Sequence, residues 1–168
     1  MKKIVVVFAV FLFVSCEINV ELEFDQETFN TQRQLWQASN VKDYQYQLSA
    51  CGFASYDGII IVENGKYKEN IPSYADYPDG YYEGSNYIIK SYSTIDEIYK
   101  TIEDTFKRTN NKKQPVNDIY LSGISVKYDK VNHIPIEIHY EYHYPVFNAV
   151  VMDGTFDYYI SNFEKNGQ

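Results

Sequence analysis

A strict two-residue alternation constrains this chain more than any other feature. In "YQYQLS", Tyr44, Tyr46 and Leu48 alternate with Gln45, Gln47 and Ser49. In "IEIHYEYHY", Ile136, Ile138, Tyr140, Tyr142 and Tyr144 alternate with Glu137, His139, Glu141 and His143. In "EINVELEF", Ile18, Val20, Leu22 and Phe24 alternate with Glu17, Asn19, Glu21 and Glu23. Successive side chains of a strand point to opposite faces, so each segment predicts a strand with one apolar and one wet face. Antiparallel sheets carry that pattern. Tyrosine supplies much of the apolar side, with 18 of 168 residues against one tryptophan. It fits half-buried sheet faces and, where exposed, makes contact surfaces.

Two segments switch to a helical period. Asp25 caps a helix over 26–39, with Phe24 and Phe29 at the spacing of a hydrophobic staple and Glu27 in the first turn. Phe29 and Trp36 fall on one face, and Trp36 seats the helix on the sheet. The second helix, 94–107, opens with Thr94 and Glu97 as a capping box. Its apolar stripe is Ile95, Ile98, Tyr99, Ile102 and Phe106, and Lys107 and Arg108 stand at its cationic end. Polar "TNNKKQP" then releases the chain.

Asn64-Gly65 between two short apolar runs predicts a type I′ hairpin, and Asp153-Gly154 gives a second such signal. Further strands are expected over 119–128, 134–144, 147–151 and 155–163, with Pro145 breaking or bulging the long one. Strand, helix, strands, helix, strands is the order of an α+β domain: a twisted antiparallel sheet with two helices packed on one face. One domain covers 26–168, preceded by a lead-in strand within 16–25.

The first 15 residues read as an address. Lys2 and Lys3 precede 11 apolar residues, 4–14, and the run stops at "SCE". As a helix it spans about 16 Å, half of a ~30 Å hydrocarbon core, so it is too short to cross a membrane. A charged start, a short apolar body and a small residue before a break form a secretory signal. Ser15-Cys16 resembles the lipobox of bacterial lipoproteins, in which a peptidase cuts before the cysteine. The thiol then carries a diacylglycerol and the new amine a third acyl chain. Phe13 stands where that motif prefers leucine. The resemblance implies a chain held on a membrane through lipid on Cys16, since stable attachment needs two anchoring signals and three chains exceed that.

Loss of residues 1–15 removes Lys2 and Lys3 and no acid, taking the formal charge from −8 to −10. Phosphate backbones and anionic lipid surfaces repel such a domain, which argues against a nucleic-acid partner. Cys51 is the one thiol left, so no intramolecular disulfide is expected.

Together the pieces "LWQASNVKDYQYQLSACG", "IIIVENGK", "STIDEIYKTIEDTF", "ISVKYDKVNHIPIEIHYEY" and "FDYYISNF" resemble a family of secreted bacterial lipoproteins known as a domain of unknown function (family 6174). Such proteins carry a helix ending in Trp, a Tyr-rich strand ending in Cys, a Val-rich hairpin and a "YDxxxGYP" hairpin. "NHIP" replaces Gly-Tyr-Pro here. The resemblance spans about residues 30–164. It implies a fold and a compartment, the lipid-anchored cell envelope at its periplasmic face or outer surface, and no activity.

Chemistry is sparse. Glu137, His139, Glu141 and His143 share one strand face at ~6.5–7 Å spacing, wide enough for zinc to bridge two histidines with help from a neighbouring strand. The alternative reading of that face is a solvated Glu/His surface opposite a tyrosine core. Cys51 with a histidine is a formal nucleophile, but a buried small hydrophobe at a strand end is the expectation. Residues 72–86, rich in Gly, Pro and Tyr, read as a long loop. Its Tyr74, Tyr77, Tyr81 and Tyr82 read either as a contact surface or as part of a plain mobile loop, and its Asp76, Asp79 and Glu83 only loosely match a calcium loop. No Gly-x-Ser-x-Gly, phosphate-binding glycine loop, dinucleotide glycine pattern or Cys-x-x-Cys occurs. The expectation is a non-catalytic binding domain of the envelope without cofactor, partnered by the membrane and by an envelope protein or small molecule. The alternatives are a metal-dependent hydrolase built on the Glu/His face and an envelope assembly or structural factor.

Overall fold

The computed structural model describes residues 17–51, 55–73, 82–115, 119–143 and 155–166. The signal segment, Cys16, the Asp153-Gly154 turn, Pro145 and the strand expected over 147–151 lie outside the described residues. In chain order the elements are β1 (Glu17–Val20), α1 (Gln26–Ser39), β2 (Tyr44–Cys51), β3 (Tyr56–Glu63), β4 (Lys66–Pro72) and α2 (Tyr82–Ser91). They continue with α3 (Ile95–Thr109), β5 (Lys112–Pro115), β6 (Tyr120–Tyr128), β7 (Pro135–His143) and β8 (Thr155–Lys165). Six strands form one twisted, open sheet in the order β4-β3-β2-β8-β7-β6, each neighbouring pair antiparallel, while β1 and β5 pair as a separate ribbon. The α+β antiparallel architecture is as the alternation predicts.

Local chemistry sets the helix starts. Asp25 Oδ1 accepts the Thr28 N–H at 3.0 Å, and the Phe24 and Phe29 rings of the staple lie 5.2 Å apart. Thr94 Oγ1 accepts the Glu97 N–H at 3.0 Å. Asn40 ends α1 in the left-handed region at φ 51°, a place asparagine tolerates better than most residues. The β3–β4 turn has Asn64 at φ 54° and Gly65 at φ 71°, the two positive angles of a type I′ hairpin.

All three helices share one core with the inward face of the sheet. Tyr44, Tyr46, Leu48, Ile60, Ile138 and Ile160 meet Phe29 and Trp36 of α1, Ile88 of α2 and Ile95, Ile98, Tyr99 and Ile102 of α3. The three isoleucines of α3 contribute about 5–9 kcal/mol by burial before conformational entropy is subtracted. Buried tyrosines then need partners for their hydroxyls. Tyr46 donates to the Tyr92 carbonyl, Tyr44 accepts the Ile95 N–H at 3.1 Å, and Tyr99 donates to the His133 carbonyl at 2.7 Å. The first two fasten the α2–α3 connection to the centre of the sheet.

Four departures from the sequence-based expectations have physical causes. A third helix, α2, begins at Tyr82, inside the stretch expected to be loop. Its Gly84, Ser85 and Asn86 are weak helix formers, and it is held instead by buried Ile88 and by Thr101 Oγ1 donating to the Ser91 carbonyl at 2.9 Å. The segment expected to release the chain contains β5, whose backbone pairs with β1 from Glu17 beside Pro115 to Val20 beside Lys112. Cys51 is exposed, because Tyr44, Tyr46, Leu48 and Ala50 take the inward positions and parity sends residue 51 outward. Ile136 is exposed because it is the extra residue of a bulge: Lys127 pairs Glu137, while Tyr128 pairs Pro135.

Candidate functional site

The sheet face opposite the helices carries exposed and half-buried side chains among the described residues, and strand register arranges them in rows. One row runs Lys127, Glu137, Tyr159, Ser49, Asp57 across five strands. The next runs Ser125, His139, Asp157, Cys51. Lys127 Nζ pairs with Glu137 at 2.8 Å, and Ser49 Oγ and Gln47 Nε2 donate to Asp57 Oδ1 at 2.6 and 2.9 Å. Burial raises the Asp57 carboxyl, but hydrogen bonds from Ser49, Ser73 and Gln47 outweigh it and hold the group below its ordinary value.

Glu137, His139, Glu141 and His143 do share this face, yet the structure does not bring them together on one point. Glu137 is held by Lys127, His139 Nδ1 meets Asp157 of β8, and the His143 ring stacks on Tyr120 with centroids 4.8 Å apart. Among the described residues no three His, Cys, Asp or Glu side chains are placed to hold one ion. Cys51 and His139 lie in the same row with β8 between them, about 10 Å apart at ~4.8 Å per strand. A carboxylate, Asp157, stands next to the thiol instead of an imidazole, so these two residues form no nucleophile–base pair. Tyr74, Tyr77, Tyr81, Asp76 and Asp79 lie outside the described residues, as does the lipidation candidate Cys16. Tyr82 and Glu83 fall in the first turn of α2.

A concave site lies at the sheet edge. A cleft of about 590 Å³ follows the outer side of β6, walled by Phe24, Asp25 and Thr28 where α1 begins and by Ile124, Ser125, Val126 and Tyr128 along the strand. Glu23, Gly123, His139 and Glu141 complete it on the side of the open face. The lead-in segment builds one wall: Val20 and Leu22 are buried, and the Leu22 N–H donates to Asn110 Oδ1 at 3.2 Å. Glu23 then bridges Gly123 in parallel, donating its N–H to the Ser122 carbonyl at 3.1 Å and accepting the Ile124 N–H at 2.9 Å. A Cβ at Gly123 would stand 3.8 Å from the Glu23 carbonyl, an ordinary contact, and 3.3 Å from Glu141 Oε2, so a side chain there would crowd the Glu141 carboxylate rather than the bridge. The extra residue Ser122 bulges β6 at the same place: Leu121 pairs Tyr142 while Gly123 pairs Glu141.

After Glu23 the chain leaves the edge at Asp25 to enter α1. Strand geometry alternates the direction of backbone groups, and Ile124 points its N–H outward to Glu23. Val126 therefore points its N–H and carbonyl to the same outer side, where no strand lies among the described residues. The opposite edge, β4, is guarded by exposed Lys66, Lys68 and Glu69 and ends at Pro72, features that discourage pairing. The cleft carries the carboxylates of Glu23, Asp25 and Glu141, no lysine or arginine, and an imidazole already engaged by Asp157. Burial and then the Asp25 charge push the Tyr128 hydroxyl well above its ordinary value, so it stays a neutral donor.

The sequence pointed to His139 and Glu141 but not to Glu23, Asp25, Thr28, Ser125 or Tyr128. The one local signal was the glycine inside "LSGISV", which in a strand marks a bulge or a close backbone approach. No protein-family model, curated protein or solved structure matches this chain.

Proposed function

We propose that this chain is a lipid-anchored domain of a bacterial cell envelope that acts by binding, without catalysis of its own, and meets its partner in the cleft along β6. The observation that carries this reading is the convergence, in one concave site, of an unpaired backbone edge, three carboxylates and the half-buried rings of Phe24 and Tyr128. The anchor fits the same site. Glu17, the residue after Cys16, already belongs to β1, and Glu23 at the cleft follows six residues later. A lipid on Cys16 would therefore hold the cleft close to the bilayer with no intervening linker, against the repulsion of an acidic domain by anionic headgroups. An envelope assembly factor would use the same features and is one form of this reading.

One observation favours a second reading, a metal-dependent hydrolase on the open face. Carboxylates commonly orient histidine ligands, and Asp157 holds His139 in that manner.

Photo-cross-linking in intact cells tests the proposal, with the probe placed at Ser125 in the cleft or at Lys68 on the opposite edge, in the native protein and in Cys16→Ser. The native protein should sediment with membranes and give an adduct from Ser125 alone, and Cys16→Ser should be released from membranes. Equal membrane association of the two overturns the anchor. No adduct from Ser125, or the same adduct from Lys68, overturns the cleft.

A further inference from the structure

We infer that the outer edge of β6 over residues 124–128 receives an extended, basic segment of a partner protein as an added strand. This rests on the cleft being the binding site and adds the chemistry of what enters it. Glu23 has already begun such a pairing and stops it after one bridge, where Asp25 turns the chain into α1. Beyond that point the Ile124 carbonyl and both backbone groups of Val126 face the cleft, unpaired among the described residues. Strand addition satisfies such groups with main-chain hydrogen bonds and takes its specificity from alternate side chains.

The stretch is about 13 Å long, enough for four or five residues of a partner at ~3.3 Å each. Alternate residues of an added strand point to opposite faces. One set meets Phe24, Val126 and Tyr128, which are half-buried, so aliphatic side chains fit there. Glu23, Asp25 and Glu141 line the cleft, and the one cation of this edge among the described residues, Lys127, is already paired with Glu137 at 2.8 Å, so the other set is best cationic. A second copy of this chain suits the edge poorly, because pairing two β6 edges would bring two sets of the same three carboxylates together.

The test uses a fluorescent, end-capped Lys-Val-Lys-Val-Lys peptide titrated with the purified full-length protein and read by anisotropy. Three further peptides accompany it: Glu-Val-Glu-Val-Glu, the basic peptide N-methylated on its valines, and the basic peptide N-methylated on its lysines. Only one set of peptide N–H groups can face β6. One methylated peptide should therefore lose about tenfold or more in affinity, equivalent to ~1.4 kcal/mol, while the other binds like the parent. The acidic peptide should not bind, and Glu23→Gln with Glu141→Gln should weaken the basic one and flatten its salt dependence. Absence of binding, equal affinity for the acidic peptide, or equal effects of the two methylation patterns overturns the inference, as does a dimer of the free protein in sedimentation. If the peptides fail while Ser125 still cross-links in cells, the added strand falls and the cleft stands; if both fail, both fall.

Discussion

Glu23 lies beside Gly123 in a parallel bridge, by which the lead-in segment closes part of the β6 edge and, among the described residues, leaves the rest open. It links the start of the fold to a concave site in which backbone and carboxylates converge. The consequences reach the core, the alkaline limit of the fold and the choice between binding and catalysis.

Trp36 joins α1 to both α3 and the sheet. Its indole N–H donates to Asp96 Oδ1 at 3.2 Å, and its ring meets Tyr44 and Phe163 edge-on with centroids 5.5 and 6.0 Å away. Trp36→Ala should cost about 3–5 kcal/mol through the cavity it leaves. Trp36→Phe should cost less, keeping most of the ring and losing the hydrogen bond. Urea unfolding followed by circular dichroism checks both, since the chain has no other tryptophan to report by fluorescence.

Alkali should unfold the protein in a cooperative step. Burial raises the hydroxyls of Tyr46 and Tyr92 well above the usual value of 10.0, raises Tyr44, Tyr99, Tyr140 and Tyr158 likewise, and pushes Tyr56 up to about 12. Below about pH 10 both states keep these protons and stability is unaffected. Above it the unfolded chain releases protons that the native chain retains, so stability falls as pH rises from about 10 through the native values. Tyrosinate absorbance and far-UV circular dichroism should therefore change together. Full ionisation with the circular dichroism intact would contradict the buried network.

Zinc should leave the melting temperature unchanged. Glu137, His139 and His143 are each engaged by a different neighbour, Lys127, Asp157 and Tyr120. A metal bound at a hundredfold excess over its Kd adds about 2.7 kcal/mol, a rise of roughly 5–10 °C for a chain of this size. A rise of that order, abolished by His139→Ala, would favour the hydrolase reading over the binding one.

What the sequence disclosed was local. Asp25, Thr94 and Asn64-Gly65 act on groups within three residues, so their helix starts and hairpin were legible before any tertiary contact was known. Alternation also announced that His139 and Glu141 share a wet face with Glu137 and His143. It could not announce the bulges at Ser122 and Ile136, because a bulge is a mismatch between two strands and neither strand encodes it alone. For the same reason β5 read as a polar stretch releasing the chain: its backbone, not its side chains, answers β1. Helix α2 was hidden because distant core contacts at Ile88 override a weak local propensity. The cleft was the least legible feature, since residues 23–28, 123–128 and 139–141 meet only once the sheet has formed.

Amide hydrogen exchange at Val126 bears most directly on whether the β6 edge is open for binding. Ser125 and Lys127 point their N–H groups toward β7, while Val126 points its own into the cleft. In the free protein the Val126 amide should exchange orders of magnitude faster than those of Ser125 and Lys127, and slow when the basic peptide is added. Equal protection of all three amides in the free protein would mean that the edge is already closed, and would contradict the account.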